Sequence, residues 1–381
     1  MIYKDFGGLK LSALGMGGMR FPTNEDESIN YEKTAEIIDI AMKGGVNYYD
    51  TAWGYHKGQS EVVLGKILEN YDRKSYYIAT KFPGYDRSNL QDKNQTERIF
   101  EKQLEKTGKE YFDFYLCHNV CEANIDQYLD RSLGVFDYLL RQKENGRIKH
   151  LGFSCHGQQD CLEKFVSEFG ENLEFCQIQL NYLDAKLQHA KEKVDFLNSK
   201  NIPVWVMEPV RGGRLAKLDE DKEARLKALR PDESIPAWAF RYLQSLDGIG
   251  VTLSGMSDIE QLKDNLKTFS EDKPLNEKEM AVLEEIRDEM LGGNILPCVA
   301  CRYCMEKCPQ QIDIPKMLAL YGEQKYSGGF VVPMAIRMTP EDKRPSACLG
   351  CRSCEEVCPQ NIKISEAMAD FAKRLEENSK K

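Results

Sequence analysis

The sequence predicts an α/β protein in which a (β/α)8 barrel of the TIM type precedes a small cysteine-rich domain. The barrel is predicted because eight β-rich runs recur roughly every 25–35 residues, the length of a strand and its returning helix. The second domain is predicted because two cysteine runs of identical spacing follow the last of these units. We expect the barrel to occupy residues 1–290 and the cysteine-rich domain to occupy residues 291–381.

Eight runs rich in β-branched and aromatic residues are the candidate strands. In chain order they are "LSALGMG", "VNYYDTA", "YYIATKF", "FDFYLCH", "IKHLGFS", "FCQIQLN", "VWVMEPV" and "GIGVTLSG". Helical patterns lie between them, as in "EKTAEIIDIAMKGG", where one face is apolar and Gly44 with Gly45 end the helix. Eight such units in about 250 residues have the size of a closed barrel. An open, doubly wound sheet is the alternative.

Three further helices are predicted after the last strand. "SDIEQLKDNLKTF" is the eighth barrel helix, and we expect Ser257 and Glu260 to form a capping box at its start. "NEKEMAVLEEIRDEM" is one more amphipathic helix, and "LGG" at 291–293 marks the domain boundary. The chain ends in the helical pattern "ISEAMADFAKRLEE".

Composition and charge exclude several classes of function. The 381-residue chain carries a net charge of −9, which argues against general binding to nucleic acid. Its apolar runs fall short of the ~20 residues that a membrane-spanning helix needs. The N-terminus "MIYKDFGGLKLS" lacks the basic and apolar segments of a signal peptide. We therefore expect a cytoplasmic protein that binds neither nucleic acid nor a membrane.

Two cysteine runs share the spacing C-x2-C-x2-C-x3-C-P. The first run is "PCVACRYCMEKCPQ" at 297–310, and the second is "SACLGCRSCEEVCPQ" at 346–360. This is the spacing of bacterial ferredoxins, in which the fourth cysteine of each run ligates the other cluster. A zinc ribbon is the rival, but the third and fourth cysteines of each run favour iron and sulfide over zinc.

The spacing therefore predicts an α+β, bacterial-ferredoxin-like domain with two [4Fe–4S] clusters and crossed ligation. One cluster is expected on Cys298, Cys301, Cys304 and Cys358, and the other on Cys348, Cys351, Cys354 and Cys308. Five further cysteines lack cluster spacing and are expected to be buried apolar residues, namely Cys117, Cys121, Cys155, Cys161 and Cys176.

Four titratable residues lie at or just after the predicted ends of strands two, three and four. They are Asp50, Tyr55, Lys81 and His118. Catalytic groups of a (β/α)8 barrel stand at these carboxyl ends, so the four are expected to converge. The ammonium group of Lys81 is expected to lower the pKa of Tyr55, and Asp50 to keep Lys81 charged. With His118 orienting a substrate oxygen, the set suits protonation of a carbonyl oxygen while hydride reaches the carbon.

The first 270 residues resemble the aldo-keto reductase family. The resemblance rests on "NYYDTAWGYHKGQSEVVLGKIL", "IATKF", "DFYLCH", "GFSCHG", "CQIQLN" and "SGMSDIEQLKDNL", in the family's order. With its tail, the chain resembles a bacterial branch of that family that carries a ferredoxin-type domain. The resemblance implies the catalytic tetrad Asp50, Tyr55, Lys81 and His118, with Tyr55 as the proton donor. It also implies that Ser154 and Gln177 bind a nicotinamide.

The remaining cofactor contacts are expected at the last two strands. Arg211 and Arg214 follow strand seven, where barrels often bind phosphate. Ser254, Ser257, Gln261 and Asn265 are expected to complete the cofactor site. The chain departs from the family's pattern in three places: Cys155 replaces an asparagine, Met207 an aromatic residue and Gln261 an arginine. Because Glu260 would repel a 2′-phosphate, a strong preference for NADPH over NADH is not expected.

The sequence thus predicts an oxidoreductase that reduces a carbonyl or related unsaturated group of a small molecule at the barrel mouth. We expect the clusters to relay electrons from a ferredoxin or another one-electron donor. NAD(P)H is the expected hydride source, and a flavin is the alternative two-electron cofactor. Two other readings are an NAD(P)H-dependent carbonyl reductase with purely structural clusters and a non-catalytic regulatory binding barrel.

Overall fold

The computed structural model describes every residue except 91, 93, 293, 294, 297, 299, 300, 327–330, 380 and 381. Parts of the predicted "LGG" boundary and of the first cysteine run therefore lie outside the described residues. The chain forms two compact units, Met1–Tyr182 with Ala190–Glu284, and Leu183–His189 with Glu285–Lys381. The predicted division of the chain after residue 290 stays a prediction.

The first unit is an eight-stranded parallel barrel that follows an antiparallel hairpin, β1 Tyr3–Phe6 and β2 Leu9–Ser12. Its strands follow the order β10-β3-β4-β5-β6-β7-β8-β9 and close by pairing β9 with β10. The predicted (β/α)8 fold is confirmed, and the open-sheet alternative is wrong. The barrel strands are β3 Leu14–Gly17, β4 Tyr48–Asp50, β5 Tyr77–Phe82, β6 Phe112–Val120, β7 Ile148–Cys155, β8 Cys176–Gln179, β9 Val204–Met207 and β10 Ile249–Ser254.

Helices follow the strands in the expected alternation. Those up to the end of the barrel sequence are α1 Tyr31–Lys43, α2 Ser60–Leu68, α3 Gln95–Thr107, α4 Ile125–Leu129, α5 Val135–Glu144, α6 Gln159–Phe169, α7 Asp184–Leu187, α8 Ala190–Ser199, α9 Glu220–Leu229, α10 Ile235–Gln244, α11 Ile259–Thr268 and α12 Glu277–Leu291. The predicted capping box of α11 is wrong by one residue, because Asp258 is the N-cap and accepts a hydrogen bond from the Gln261 N–H at 2.8 Å. An aspartate carboxylate caps as well as a serine hydroxyl, and here it stands one residue nearer the helix.

The hairpin closes the end of the barrel at which the strands begin. The Phe6 ring lies 5.1 Å from His150 and 5.1 Å from Trp205, measured between ring centroids, and 5.7 Å from Phe114. Phe114 and Trp205 are fully buried in the barrel interior. This aromatic plug fills one end of the barrel, so the opposite end, where the strands finish, remains as the mouth.

The second unit is helical in its described residues. Its helices beyond α12 are α13 Tyr303–Glu306, α14 Ile314–Tyr326, α15 Val331–Met338, α16 Ser353–Glu356 and α17 Ile364–Ser379. Met317, Met368 and Phe371 are nearly fully buried in its apolar core. The strands expected of an α+β tail are absent from the described part, because the segments that join and follow the cysteine runs form amphipathic helices instead. Within the described residues, no helix combines the length and apolar character needed to cross a bilayer.

Candidate functional site

A buried ion pair stands at the barrel mouth. Asp50 ends β4, and its register partner on β5 is Ala79. Because side chains two residues apart in a strand point to the same face, Lys81 projects to the same side of the sheet as Ala79. The Lys81 Nζ donates to the Asp50 carboxylate and to the Thr51 carbonyl, the latter at 2.8 Å. Both charged side chains are buried. Strand register therefore places opposite charges in contact where water is excluded.

Tyr55 and His118 complete the group of four. The Tyr55 hydroxyl lies 3.4 Å from the Lys81 Nζ. The Tyr55 ring meets the His118 ring edge to face, with centroids 5.9 Å apart. His118 also contacts the ring of Tyr85, a mouth residue that the sequence reading did not single out, at 5.1 Å. The structure thus brings together all four side chains that the sequence places at successive strand ends.

The environment sets the protonation of each group. Burial raises the pKa of Tyr55 and outweighs the Lys81 charge, which acts in the opposite direction. The expected lowering of the Tyr55 pKa is therefore wrong for the site without ligands. Burial alone would lower the pKa of Lys81, but Asp50 and Tyr55 raise it above its ordinary value. Burial, assisted by the Lys81 charge, lowers the pKa of His118 well below its ordinary range. At neutral pH the site holds a protonated phenol, a charged lysine and a neutral histidine.

A second buried hydrogen-bond network holds the backbone of Lys81 in place. The Glu61 carboxylate accepts hydrogen bonds from the Thr80 hydroxyl and from the Gln103 amide, each at 2.6 Å. The same Gln103 amide donates to the Lys81 carbonyl at 3.0 Å, and Lys106 forms an ion pair with Glu61. The sequence reading missed this network. Its one visible signal is a glutamate among the apolar residues of α2.

Ser154 and Gln177 lie side by side at the ends of β7 and β8, where they are register partners. The Ser154 hydroxyl accepts from the Asn119 N–H at 2.8 Å, and the Gln177 amide nitrogen lies 3.6 Å from the Met207 sulfur. Within the described residues, the buried Gln177 Oε1 has no hydrogen-bond partner. An unpaired buried acceptor fits a ligand that brings an N–H donor, such as a carboxamide.

The remaining predicted cofactor residues form two groups. Ser254 and Asn265 are buried and hydrogen-bonded to each other at 3.1 Å. Ser257 donates to the Arg20 carbonyl at 2.8 Å, and Gln261 donates to the Asp258 carboxylate at 2.7 Å.

The two predicted arginines differ in exposure. Arg211 is buried in a left-handed conformation with φ 49°, whereas Arg214 is exposed. Both follow β9, as the sequence predicts. At the start of α11, the exposed Glu260 lies 3.5 Å from Lys263.

The tail cysteines line two separate cavities. The Cys351 cavity encloses about 350 Å³, including its open side, and the Cys301 cavity about 320 Å³. Three cysteines of one run and the fourth of the other run line each of them. The Cys351 cavity has Cys348, Cys351, Cys354 and Cys308, and the Cys301 cavity has Cys298, Cys301, Cys304 and Cys358.

The donor set and the shape of these cavities fit a polynuclear cluster. Thiolates are the ligands of [4Fe–4S] clusters, and the thiols here surround an open space. Apolar side chains complete both linings, including Ile312 and Met368 in the Cys351 cavity and Leu318 in the Cys301 cavity. The Ile312 N–H donates to the Cys308 sulfur at 3.4 Å, the kind of contact that tunes a bound cluster. The five other cysteines are buried in the barrel unit.

Comparison with known protein families gives two matches along the chain. The pattern of the Aldo/keto reductase family matches residues 13–288. The pattern of the 4Fe-4S dicluster domain matches residues 297–362.

Individual relatives and structures are distant. An uncharacterized oxidoreductase, YqkF, from Bacillus subtilis is 24% identical over 72% of this chain and 92% of its own length. The NADH-specific methylglyoxal reductase of Escherichia coli is 23% identical over 69% of this chain and 89% of its own. The crystal structure of an aldo-keto reductase from Klebsiella pneumoniae in complex with NADPH is 16% identical, with a TM-score of 0.60. That alignment covers 75% of this chain and 96% of the other.

The crossed lining leads to a prediction about single cysteine variants. Replacing Cys308 by alanine removes a thiol from the Cys351 cavity, although Cys308 belongs to the first run. We expect the holoprotein to fall from about eight irons towards about four, with the cluster of the Cys301 cavity retained. Iron and sulfide assays with electron paramagnetic resonance, performed anaerobically, measure this. Cys358→Ala is the matched variant and should deplete the other site. Loss of the first run's own cluster in Cys308→Ala would contradict crossed ligation.

Proposed function

Because the chain belongs to the aldo/keto reductase family, we propose that it reduces a carbonyl or related unsaturated group of a small molecule at the barrel mouth. We propose further that two [4Fe–4S] clusters in the tail carry electrons for this reduction. The observation that carries the first proposal is the Tyr55 hydroxyl, 3.4 Å from a lysine that is itself buried against Asp50.

The four mouth residues divide the work of proton transfer. Tyr55 holds its proton until negative charge develops on the substrate oxygen, and then donates it from the phenol oxygen. The Lys81 charge favours the resulting phenolate, since an opposite charge stabilises the ionised form. Asp50 keeps Lys81 in place and charged. Neutral His118 orients the substrate oxygen by a hydrogen bond without adding a competing acid.

The strand ends of β7 to β10 suit a nicotinamide cofactor. When bound, a reduced nicotinamide supplies both electrons of the reduction as hydride to the carbonyl carbon. Electrons from the clusters therefore reach the substrate only where a flavin collects them in pairs or where the substrate accepts them one at a time. Gln177 and Ser154 would hold its carboxamide, Arg211 and Arg214 its pyrophosphate, and Ser254, Ser257, Gln261 and Asn265 would surround its adenosine end. A flavin is the alternative cofactor, and an absorption spectrum of the anaerobically purified protein distinguishes the two.

The argument that the clusters relay electrons, and do not only stabilise the tail, is that there are two of them. A single metal site is enough to stabilise a small domain that has little core of its own. Two clusters with interleaved ligands supply two one-electron sites, which is the number of electrons that reduction of one carbonyl consumes. The donor we propose is a ferredoxin or another one-electron carrier.

Replacing Tyr55 by phenylalanine should remove most carbonyl reduction. The variant loses the only phenol that contacts Lys81 among the described residues, and general acid assistance contributes roughly 10²–10⁴-fold. Turnover of methylglyoxal as a probe, with ligand binding measured in parallel, gives the comparison. Tyr3→Phe, in the hairpin at the opposite end of the barrel, is the control. Near-normal turnover by Tyr55→Phe would show that another residue donates the proton. A regulatory barrel without catalysis would show no turnover in the unaltered protein or in either variant.

Nicotinamide binding should discriminate weakly between NADH and NADPH, or favour NADH. At the start of α11 the side chains of Gln261 and Asp258 bind each other, and Glu260 adds a negative charge near the expected 2′-phosphate. Anaerobic fluorescence titration with each cofactor measures the ratio of dissociation constants. Gln261→Arg should shift that ratio towards NADPH. A large NADPH preference of the unaltered protein would contradict this assignment.

If the clusters relay electrons, substrate should oxidise them. The holoprotein is reduced anaerobically with a low-potential dye, excess dye is removed, and methylglyoxal is added as the probe. We expect the cluster absorption to return on the timescale of turnover. Clusters that stay reduced while the barrel turns over with a nicotinamide would have a structural role only. Tyr55→Phe is the control, since it should slow the return of absorption without changing cluster content.

A further inference from the structure

The two cysteine runs differ in what they expose. Cys301 and Cys351 are both exposed, but in the second run Leu349 is also 65% exposed and belongs to the lining of the Cys351 cavity. In the first run the exposed large side chain is Tyr303, at 64%, and it lies outside the lining of the Cys301 cavity. The residue that corresponds to Leu349 in the first run, Val299, lies outside the described residues. Leu349 is therefore identified as an exposed apolar side chain at the edge of the Cys351 cavity, without a comparison at the other cavity.

Crossing of the fourth cysteine also divides the positive charge unequally. Because Lys307 precedes Cys308 in the sequence, both residues line the Cys351 cavity, and Arg352 of the second run lines it too. Cys358, which crosses in the other direction, is preceded by the uncharged Val357. The Cys301 cavity therefore has Arg302 as its charged lining residue among those described.

A third cation stands close to the same edge. The Lys343 ammonium group donates to the carbonyl of Gln310, which also lines the Cys351 cavity, at 2.8 Å. Three cations and one exposed leucine consequently surround the opening next to Cys351.

Acidic residues lie beside these cations and reduce their positive field. Arg352 lies 3.9 Å from Glu366, and both side chains are 66% exposed. Lys343 lies 3.6 Å from Asp342, whose side chain is 72% exposed. Glu306 precedes Lys307 and is also exposed, as is Glu356, whose charge acts on the Cys351 thiol. Exposed ion pairs of this length are weak and rearrange readily, so the cations remain able to meet an external anion.

We propose that the edge of the Cys351 cavity, formed by Leu349, Lys307, Arg352 and Lys343, is the docking surface for an acidic one-electron carrier protein. The exposed leucine fits the apolar centre of a small transient interface, and the cations steer an acidic partner to it. The proposal rests on the proposed relay function. In each encounter one electron leaves the reduced carrier and enters the cluster of the Cys351 cavity, with no bond formed or broken. Two encounters deliver the two electrons of one reduction.

The test measures binding and electron entry separately. An acidic plant-type [2Fe–2S] ferredoxin is the probe, and anaerobic calorimetry with the holoprotein gives its dissociation constant. We expect Lys307→Glu combined with Arg352→Glu to raise this constant about tenfold at low ionic strength. The difference should shrink at ~1 M salt, where the Debye length falls to about 3 Å. Leu349→Ser should weaken binding at both salt concentrations, because it removes an apolar contact without adding a charge.

Arg302→Glu is the matched control, since Arg302 and Arg352 occupy the same position of the two runs with φ 66° and 62°. It should leave the dissociation constant unchanged. Stopped-flow reduction of the clusters by reduced ferredoxin should slow in the Lys307 and Arg352 double variant, whereas reduction by dithionite should not. Iron content shows that each variant is loaded.

Three results would overturn the docking surface. The first is an affinity that Arg302→Glu weakens as much as the Lys307 and Arg352 double variant does, and the second is an affinity that neither of these variants changes. The third is self-association of the chain that Leu349→Ser abolishes, which would assign the leucine to a second copy. These outcomes are distinguishable from failure of the relay itself. Dithionite-reduced clusters that substrate does not oxidise would refute the relay without altering the affinity for ferredoxin.

Discussion

The ion pair between Lys81 and Asp50 is the interaction on which the barrel mouth depends. Burying two charges carries a large desolvation penalty, so such a pair contributes little net stability, whereas removing one partner destabilises by roughly 3–5 kcal/mol. The barrel retains the pair for what it does to its neighbours. It holds a positive charge 3.4 Å from the Tyr55 hydroxyl and contributes to keeping His118 neutral. Parallel pairing of β4 with β5 and of β5 with β6 makes this arrangement possible, because it brings the carboxyl ends of the three strands together.

The protonation of Tyr55 shows a balance that sequence reasoning judged incorrectly. A lysine beside a tyrosine predicts a lowered pKa, but the same burial that strengthens their attraction also disfavours a phenolate, and burial is the larger effect here. Tyr55 therefore retains its proton at neutral pH. The benefit of the Lys81 charge is then realised when charge moves from the substrate oxygen to the phenol, which is where stabilisation accelerates a reaction.

Local sequence patterns were enough to predict the eight strands and the four residues at or after their ends. Each strand is a short run rich in β-branched and aromatic residues, so its last residue can be located from the sequence. The Glu61 network was not predictable in this way. Its contact between Glu61 and Gln103 joins residues 42 positions apart, and only the packing of α2 against α3 brings them together. The N-cap of α11 was misplaced because Ser257 and Asp258 are both good caps, and the backbone decides between them. The last tail helix, α17, was predicted from its apolar pattern, but α14 and α15 were missed. The cysteine spacing describes only the loops and leaves the 39 residues between Cys308 and Cys348 without a pattern.

Crossing of the fourth cysteine ties the two runs into one folding unit. Each cavity takes its walls from both runs, so neither site can be completed until the whole tail has formed. Crossing also breaks the symmetry of the repeat, since each fourth cysteine brings its own neighbour to the other run's cavity: Lys307 in one direction and Val357 in the other. Two sites of equal ligand chemistry thereby acquire different electrostatic surroundings. In an iron–sulfur protein, local charge and solvent exposure affect reduction potential. The ligands of the two sites are therefore alike, whereas their charged linings differ: Lys307 and Arg352 line one cavity, and Arg302 lines the other among the described residues.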